Sequence, residues 1–365
     1  MKFKVNKKDI SKHISIAQKA ISNRTTMSIL EGIKIVAKDN ILELTATDNE
    51  TAIITKLPSI VEEEGSIVVN SRLFGEIIKK LSDEIVNIEV KDYKMNIKCN
   101  NSEFNIQCQN AEEYPSLPTI GEVKNLKIRT VDFKEAIRKT SFAVSIDETR
   151  AALTGVLMDI NKSIINFVAL DGFRMALKTI VVDTDIENKS IIPAKNCNDL
   201  IKIIEDDLEE INIELGQNII KFDIGDTVFF ANLLGSEFFQ YSGLIKDNYK
   251  INSTVNKNEF QNSLERASLL AKEDRANLVK LSISENSIII TSNSEIGNSE
   301  EIVNAQTTGE DLSIAFNSNY IIAGLKNIES EEIVLSFTDS VNPTIIREKD
   351  DKTYIYLVLP VRLAN

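Results

Sequence analysis

Three segments of the chain alternate apolar and polar residues around a short polar turn: IKIVAKDNILELTATD from Ile33, VLMDINKSIINFVALD from Val156 and VKLSISENSIIITSNS from Val279. A period of two marks a half-buried strand, so each segment predicts a hairpin. The turn centres Asp39, Lys162 and Glu285 are spaced by 123 residues each time. The flanking apolar positions keep register: Leu42, Ile165 and Ile288, then Leu44, Phe167 and Ile290. A slip of one residue would turn every side chain to the other face, so this agreement marks an internal repeat.

Helical periodicity recurs in step. One kind of helix carries Ile10, Phe133 and Phe260 at matching places, and a second carries Ile77, Leu200 and Ile321. Ser71 and Asn317 are the expected N-caps of two helices of the second kind. Each copy reads as helix, strand pair, further strands, helix and more strands. Three such copies account for all 365 residues. The expected fold is therefore α+β, three tandem repeats of a two-helix, antiparallel-sheet domain. Pro118–Gly121 and Asp247–Ser253 interrupt the alternation and place the boundaries at 1–122, 123–249 and 250–365.

Charge changes the picture. The net charge of −13 argues against a wholly basic nucleic-acid binder. Yet the six helical windows together carry +9, which leaves −22 for the remainder. If the helices share one surface, that surface is cationic, with Lys12, Arg72, Lys79, Lys80, Arg138, Lys139, Lys195, Lys202 and Arg266 facing phosphates without regard to base sequence. An acidic remainder would repel nucleic acid from other sides, which favours threading over coating.

Chemistry is scarce. The single histidine, His13, removes multi-histidine metal sites and reads as a solvated residue on an exposed helix face. No glycine-rich phosphate loop is present. Cys99, Cys108 and Cys197 lack metal-ligand spacing and read as reduced thiols of a cytoplasmic protein. The N-terminal MKFKVNKKDI has neither an apolar core nor a cleavage site, which argues against secretion. The longest apolar run, Tyr354 to Val361, is far below the roughly 20 residues of a membrane span. No cofactor or metal is expected. Two other readings stay open: a metal-dependent phosphoesterase or nuclease using Asp48 and Asp171, and an acidic scaffold without nucleic acid. The two aspartates occupy equivalent places in two copies, where a turn residue is the simpler reading.

Local motifs extend the argument across the whole chain. MKFKV, NRTTMSIL, DETRAALTGV, LDGFRMA, IAFNSNYI and YLVLPVRL stand in an order that resembles the bacterial DNA polymerase III beta subunits, the processivity sliding clamps. The resemblance implies a clamp fold without catalysis and a head-to-tail homodimer closed around duplex DNA, its helices lining the hole. It also implies short peptides of the polymerase III alpha subunit, the clamp loader and repair proteins as partners.

The same resemblance implies site residues. Arg24 matches a DNA-contact position, whereas Asp147 and Ala152 depart from the residues some members place near DNA. The dimer contact falls on Phe104 and Ile106 of one copy against Leu269 and Leu270 of the other, residue types that also fit monomer core. The peptide pocket falls on Leu153, Leu170, Gly172, Phe173, Arg174, Met175, Leu244, Val341, Leu357, Leu359, Pro360, Val361 and Arg362, with Asn317 and Tyr320 beside it. FFQYSGLI departs from the family pattern at Phe239 and Gly243, which alters the pocket's floor or lip.

Overall fold

The computed structural model describes residues 1–22, 27–246, 248–272 and 277–362. Its six α-helices are α1 (Lys7–Ala17), α2 (Ser71–Lys80), α3 (Thr130–Thr140), α4 (Ala194–Ile203), α5 (Lys257–Ala271) and α6 (Ser318–Leu325). The strands form two antiparallel sheets, of thirteen and twelve strands.

The repeat is visible in the packing. Leu42, Ile165 and Ile288 are fully buried, as are Leu44, Phe167 and Ile290. Ile10, Phe133 and Phe260 bury the inner faces of α1, α3 and α5, and burying each such side chain contributes about 1.5–3 kcal/mol. The first hairpin turns through Asp39 and Asn40, both left-handed at φ 50° and 58°, the geometry that matches the twist of paired strands. Lys162 is likewise left-handed in the second hairpin.

Asparagine starts four of the helices. Asn6, Asn70, Asn256 and Asn317 each accept a backbone N–H of the first turn with the side-chain oxygen. Asn317 caps α6 as expected. For α2 the cap is Asn70 rather than Ser71, which is buried as the first helical residue.

The chain forms two compact units. Unit 1 joins Met1–Val131 to Asp199–Leu233, and unit 2 joins Asp132–Asn198 to Leu234–Asn365. The thirteen-stranded sheet lies in unit 1 and the twelve-stranded sheet in unit 2. Strands of segment 123–249 enter both sheets. Thr227–Asn232 pairs with Thr51–Pro58, and Arg174–Val181 pairs with Tyr354–Val358.

His13 corrects the sequence reading. It is only 8% exposed, with Nδ1 2.6 Å from Thr55 Oγ1, which in turn lies 2.8 Å from Thr227 Oγ1. A neutral imidazole is small enough to finish a core when its ring nitrogen finds a hydroxyl partner. Both partners are distant in sequence.

Candidate functional site

The turn Asp171–Arg174 organises an aromatic and apolar cluster in unit 2. Asp171 Oδ1 accepts the backbone N–H groups of Phe173 (2.9 Å) and Arg174 (3.0 Å), while Oδ2 accepts Arg174 Nε at 3.0 Å. Gly172 has φ +93°, a left-handed conformation that strains any residue carrying a Cβ. The turn therefore carries Phe173 outward, 56% exposed. Its ring stacks on Tyr320 of α6 at 5.7 Å, and the Arg174 guanidinium lies 5.1 Å from the centre of the same Tyr320 ring.

Arg174 is fixed from a further side by Phe142, whose carbonyl accepts Nη2 at 3.1 Å. Burial opposes its charge, but neighbouring Tyr356 and Asp171 outweigh that, so its pKa is raised. The Tyr356 hydroxyl donates to the Tyr320 carbonyl at 2.6 Å. A Cβ at Gly324 would run into the Tyr356 ring, so this glycine in the last turn of α6 makes room for the ring. Phe142 and Tyr356 were not anticipated. The legible signal was Gly324 itself, a glycine within a helical stretch, where it is about 1 kcal/mol worse than alanine and can mark a close approach.

Behind the turn, Leu153, Leu170, Met175 and Leu357 belong to one buried cluster, with Leu244 packed against it. Phe239, Val341 and Leu359 are exposed apolar residues of the same unit. Leu359 N–H donates to the Phe173 carbonyl and Val361 N–H to the Ala315 carbonyl, both at 2.8 Å, and these bonds lead the segment Leu359–Arg362 past the turn. Pro360 and Val361 are half-buried and Arg362 is exposed. The Asn317 side chain is engaged in capping α6.

The expected basic residues divide into two groups. Lys79, Lys80 and Lys202 are exposed in the last turns of α2 and α4, without an ion-pair partner among the described residues. Lys195 is exposed as well. Arg72 pairs with Glu76 at 3.3 Å, Arg138 with Glu329 at 2.6 Å, and Lys12 with Glu205. Arg266 donates twice to Glu301, at 2.9 and 2.5 Å. Arg24 lies outside the described residues.

Lys139 is a correction. It is buried, with Nζ 2.6 Å from Glu348, 3.0 Å from Glu135 and 5.1 Å from the centre of the Tyr354 ring. Burial opposes its charge, yet hydrogen bonds to Glu348 and Glu135 raise its pKa. Lys178 shares Glu135 and adds Asp351 at 2.9 Å. Helical spacing suggested an outward residue, but the paired carboxylates draw its ammonium inward.

Besides the outermost strands of the sheets, two inner strands are left partly unpaired along one side. Ser102–Gln109 pairs along its length with Lys94–Cys99, but with Gly65–Asn70 only through Cys108 and Gln109. Gly297–Thr308 pairs with Ser287–Ser294, but with Ile251–Asn256 only from Ala305 onward. Phe104 is exposed on the first edge and Ile302 on the second. Ile106 is half-buried; on α5, Leu269 is 64% exposed and Leu270 is half-buried.

Family models for the DNA polymerase III beta subunit match in three consecutive stretches: the N-terminal domain at 1–118, the central domain at 127–240 and the C-terminal domain at 243–362. The chain belongs to the DNA polymerase III beta subunit family. The beta sliding clamp of Bacillus subtilis (strain 168) is 39% identical over 99% of this chain and 100% of its own length. That of Staphylococcus epidermidis is 35% identical over 99% of both. Among solved structures, the B. subtilis sliding clamp superposes with a TM-score of 0.95 at 38% identity, covering 100% of both chains. A Pseudomonas aeruginosa clamp bound to griselimycin has the same TM-score at 25% identity, again over 100% of both chains.

The function of this beta-subunit chain is that of a beta sliding clamp in processive DNA replication, and it is not catalytic. Family membership implies DNA and a DNA polymerase as partners. The phosphoesterase and acidic-scaffold readings are thereby overturned. Asp48 and Asp171 instead hold turns: Asp48 Oδ1 accepts Glu50 N–H at 3.1 Å and Thr51 N–H at 2.7 Å. Among the described residues, no helix is long and apolar enough to cross a membrane, and no cluster of three ligating side chains is placed to hold a metal ion.

Proposed function

We propose that two copies of this chain close head to tail into a ring around duplex DNA, each copy contributing three clamp domains at 1–122, 123–249 and 250–365. The observation that carries the proposal is the pair of partly unpaired strands with exposed apolar residues on and beside them. An unpaired edge is a template for another chain. Joining Ser102–Gln109 of one copy to Gly297–Thr308 of the next is a heterologous contact, which makes a ring when its rotation closes. Phe104 and Ile106 on one side and Leu269, Leu270 and Ile302 on the other supply apolar surface.

The inner face presents Lys79, Lys80, Lys195 and Lys202 to the phosphates, and Lys12, Arg72, Arg138 and Arg266 contribute where their carboxylate partners yield; Arg24 joins them by its family position. Such contacts are weak and salt-sensitive, so they permit sliding while closure prevents escape. The turn Asp171–Arg174 and the segment Leu359–Arg362 form the pocket for short peptides of the polymerase alpha subunit, the clamp loader and repair proteins. Phe173, Phe239, Val341 and Leu359 offer apolar contact at its mouth, and Arg174 and Arg362 orient the peptide's polar groups. The work is cytoplasmic, on chromosomal DNA.

The test is topological. Ring protein loaded on nicked circular DNA stays bound through gel filtration and is lost when the circle is linearised; equal retention on both forms would overturn the proposal. Ile302→Lys converts a particle of twice the chain mass into a monomer with an unchanged circular-dichroism spectrum. A dimer that survives both Ile302→Lys and Leu269→Lys would remove the interface assignment.

A further inference from the structure

Unit 1 contains a cavity of about 230 Å³ that the clamp function does not use. Its apolar lining comes from Ile16, Ile203, Leu208 and Ile224. Its polar wall holds His13, Thr227 and the carboxylates of Glu205, Asp207 and Asp226. The charges are unbalanced. Lys12 pairs with Glu205, but Asp207 and Asp226 have no cationic partner among the described residues.

The second observation is the histidine. His13 is more than nine-tenths buried, and among the described residues only Nδ1 has a hydrogen-bond partner, Thr55 Oγ1 at 2.6 Å. Nε2 has none among the described residues, and the ring forms part of the cavity wall. The hydroxyl chain Thr55–Thr227 holds the ring in place, since Thr227 itself lines the cavity. In the tautomer whose Nδ1–H donates to Thr55, Nε2 is an acceptor open to an N–H donor.

We propose that this cavity is a binding site for a small organic cation, a primary ammonium on a compact apolar body. The ammonium donates to His13 Nε2 and to the Asp226 carboxylate, and the hydrocarbon lies on Ile16 and Ile224. Anions are disfavoured by the carboxylates. A metal ion is disfavoured as well, since no three ligating groups converge among the described residues.

The chain has one histidine, so the ¹³Cε1 imidazole signal of the full-length protein reports this site alone. The probe is benzylammonium, titrated at pH 7.5 beside benzyl alcohol and benzoate. The expected result is a saturable shift of that signal by benzylammonium, with benzyl alcohol and benzoate weaker by about tenfold or more. Asp226→Asn weakens benzylammonium by about fivefold, the weight of one partly exposed charge pair, and leaves the thermal midpoint close to wild type. The proposal fails if benzylammonium gives no saturable shift, if benzoate or benzyl alcohol binds as well, or if the Asp207→Asn/Asp226→Asn double variant keeps full affinity.

Discussion

Two turns in this molecule are the same object with different side chains. Asp48–Thr51 and Asp171–Arg174 lie 123 residues apart. In each, the aspartate N–H donates to the carbonyl three residues on, at 3.1 and 3.2 Å, and its Oδ1 accepts two backbone N–H groups. The second residue is left-handed in both, Asn49 at φ 73° and Gly172 at φ 93°. Even the joint to the next repeat recurs. Asn232 N–H donates to the Glu50 carbonyl and Leu359 N–H to the Phe173 carbonyl, both at 2.8 Å. What differs is Glu50, Thr51 and Asn232 against Phe173, Arg174 and Leu359. A repeated structural joint becomes a candidate docking site when three polar residues are exchanged for an aromatic, a guanidinium and an aliphatic.

The strongest way to break this comparison is to make the second turn resemble the first. Phe173→Glu with Arg174→Thr should weaken a fluorescent clamp-binding peptide by about 30-fold or more in polarisation assays, the size of a lost anchor residue. The reverse exchange, Glu50→Phe, should create no peptide binding, because Tyr320 and Phe142 stand only at the second turn. Next comes the shared aspartate. Asp48→Ala and Asp171→Ala should each destabilise by about 1–2 kcal/mol in urea titrations, since two N–H groups lose their acceptor. Only Asp171→Ala should also weaken the peptide, by roughly tenfold, because Arg174 loses its carboxylate.

A smaller effect sharpens the backbone argument. Apart from its chain neighbours, the nearest atom to a Cβ placed at Gly172 is Arg150 Nη1 at 4.0 Å, so substitution there is penalised chiefly by conformation. Gly172→Ala should cost about 1 kcal/mol, and Gly172→Asn less, as Asn49 already demonstrates the tolerated residue.

The smallest effect separates the units by pH. Burial, with help from Lys12, lowers the His13 pKa below its ordinary 6.5, against the opposing influence of Asp226, Asp9 and Glu205. The unfolded chain therefore takes up a proton near pH 6.5 while the folded chain does not. Unit 1 should hold this contribution fully above pH 6.5 and lose it progressively as the pH falls below that value. Hydrogen exchange in unit 1 should quicken over that range, and His13→Gln should flatten the response. Unit 2 has no histidine. There Asp351 is acid-sensitive: burial opposes its charge, but Thr353 and Lys178 hold its pKa down to about 2, so its contribution fades only as the pH falls from about 3.8 toward 2.

The sequence disclosed what is periodic and local. The three hairpins, the helix positions and the buried register of Leu42, Ile165 and Ile288 followed from alternation, because one face of each strand must leave water. Phe173, Arg174 and the apolar residues behind them came into view only through the resemblance of LDGFRMA and YLVLPVRL to the beta subunits, since alternation alone reads those stretches as plain strand core. The missed features depend on long-range partners. His13 is buried because Thr55 and Thr227 meet it, and Lys139 turns inward because Glu348 lies across from it. Neither partner is visible from the helix that carries the residue. Asn70 takes the cap from Ser71 because the helix begins one residue earlier than its serine suggested. Nor could alternation show that segment 123–249 contributes strands to both sheets, since pairings such as Thr55 with Thr227 are set by edges meeting in space.

That sharing of strands limits how such a chain can change over evolutionary time. A gene rearrangement deleting the middle copy would strip Thr51–Pro58 and Tyr354–Val358 of one neighbour each, leaving two raw β borders prone to clumping. Loss of a repeat would thus yield an insoluble product rather than a shorter working protein. Once the triplication is stitched this way, its copy number is frozen while its side chains remain free to diverge.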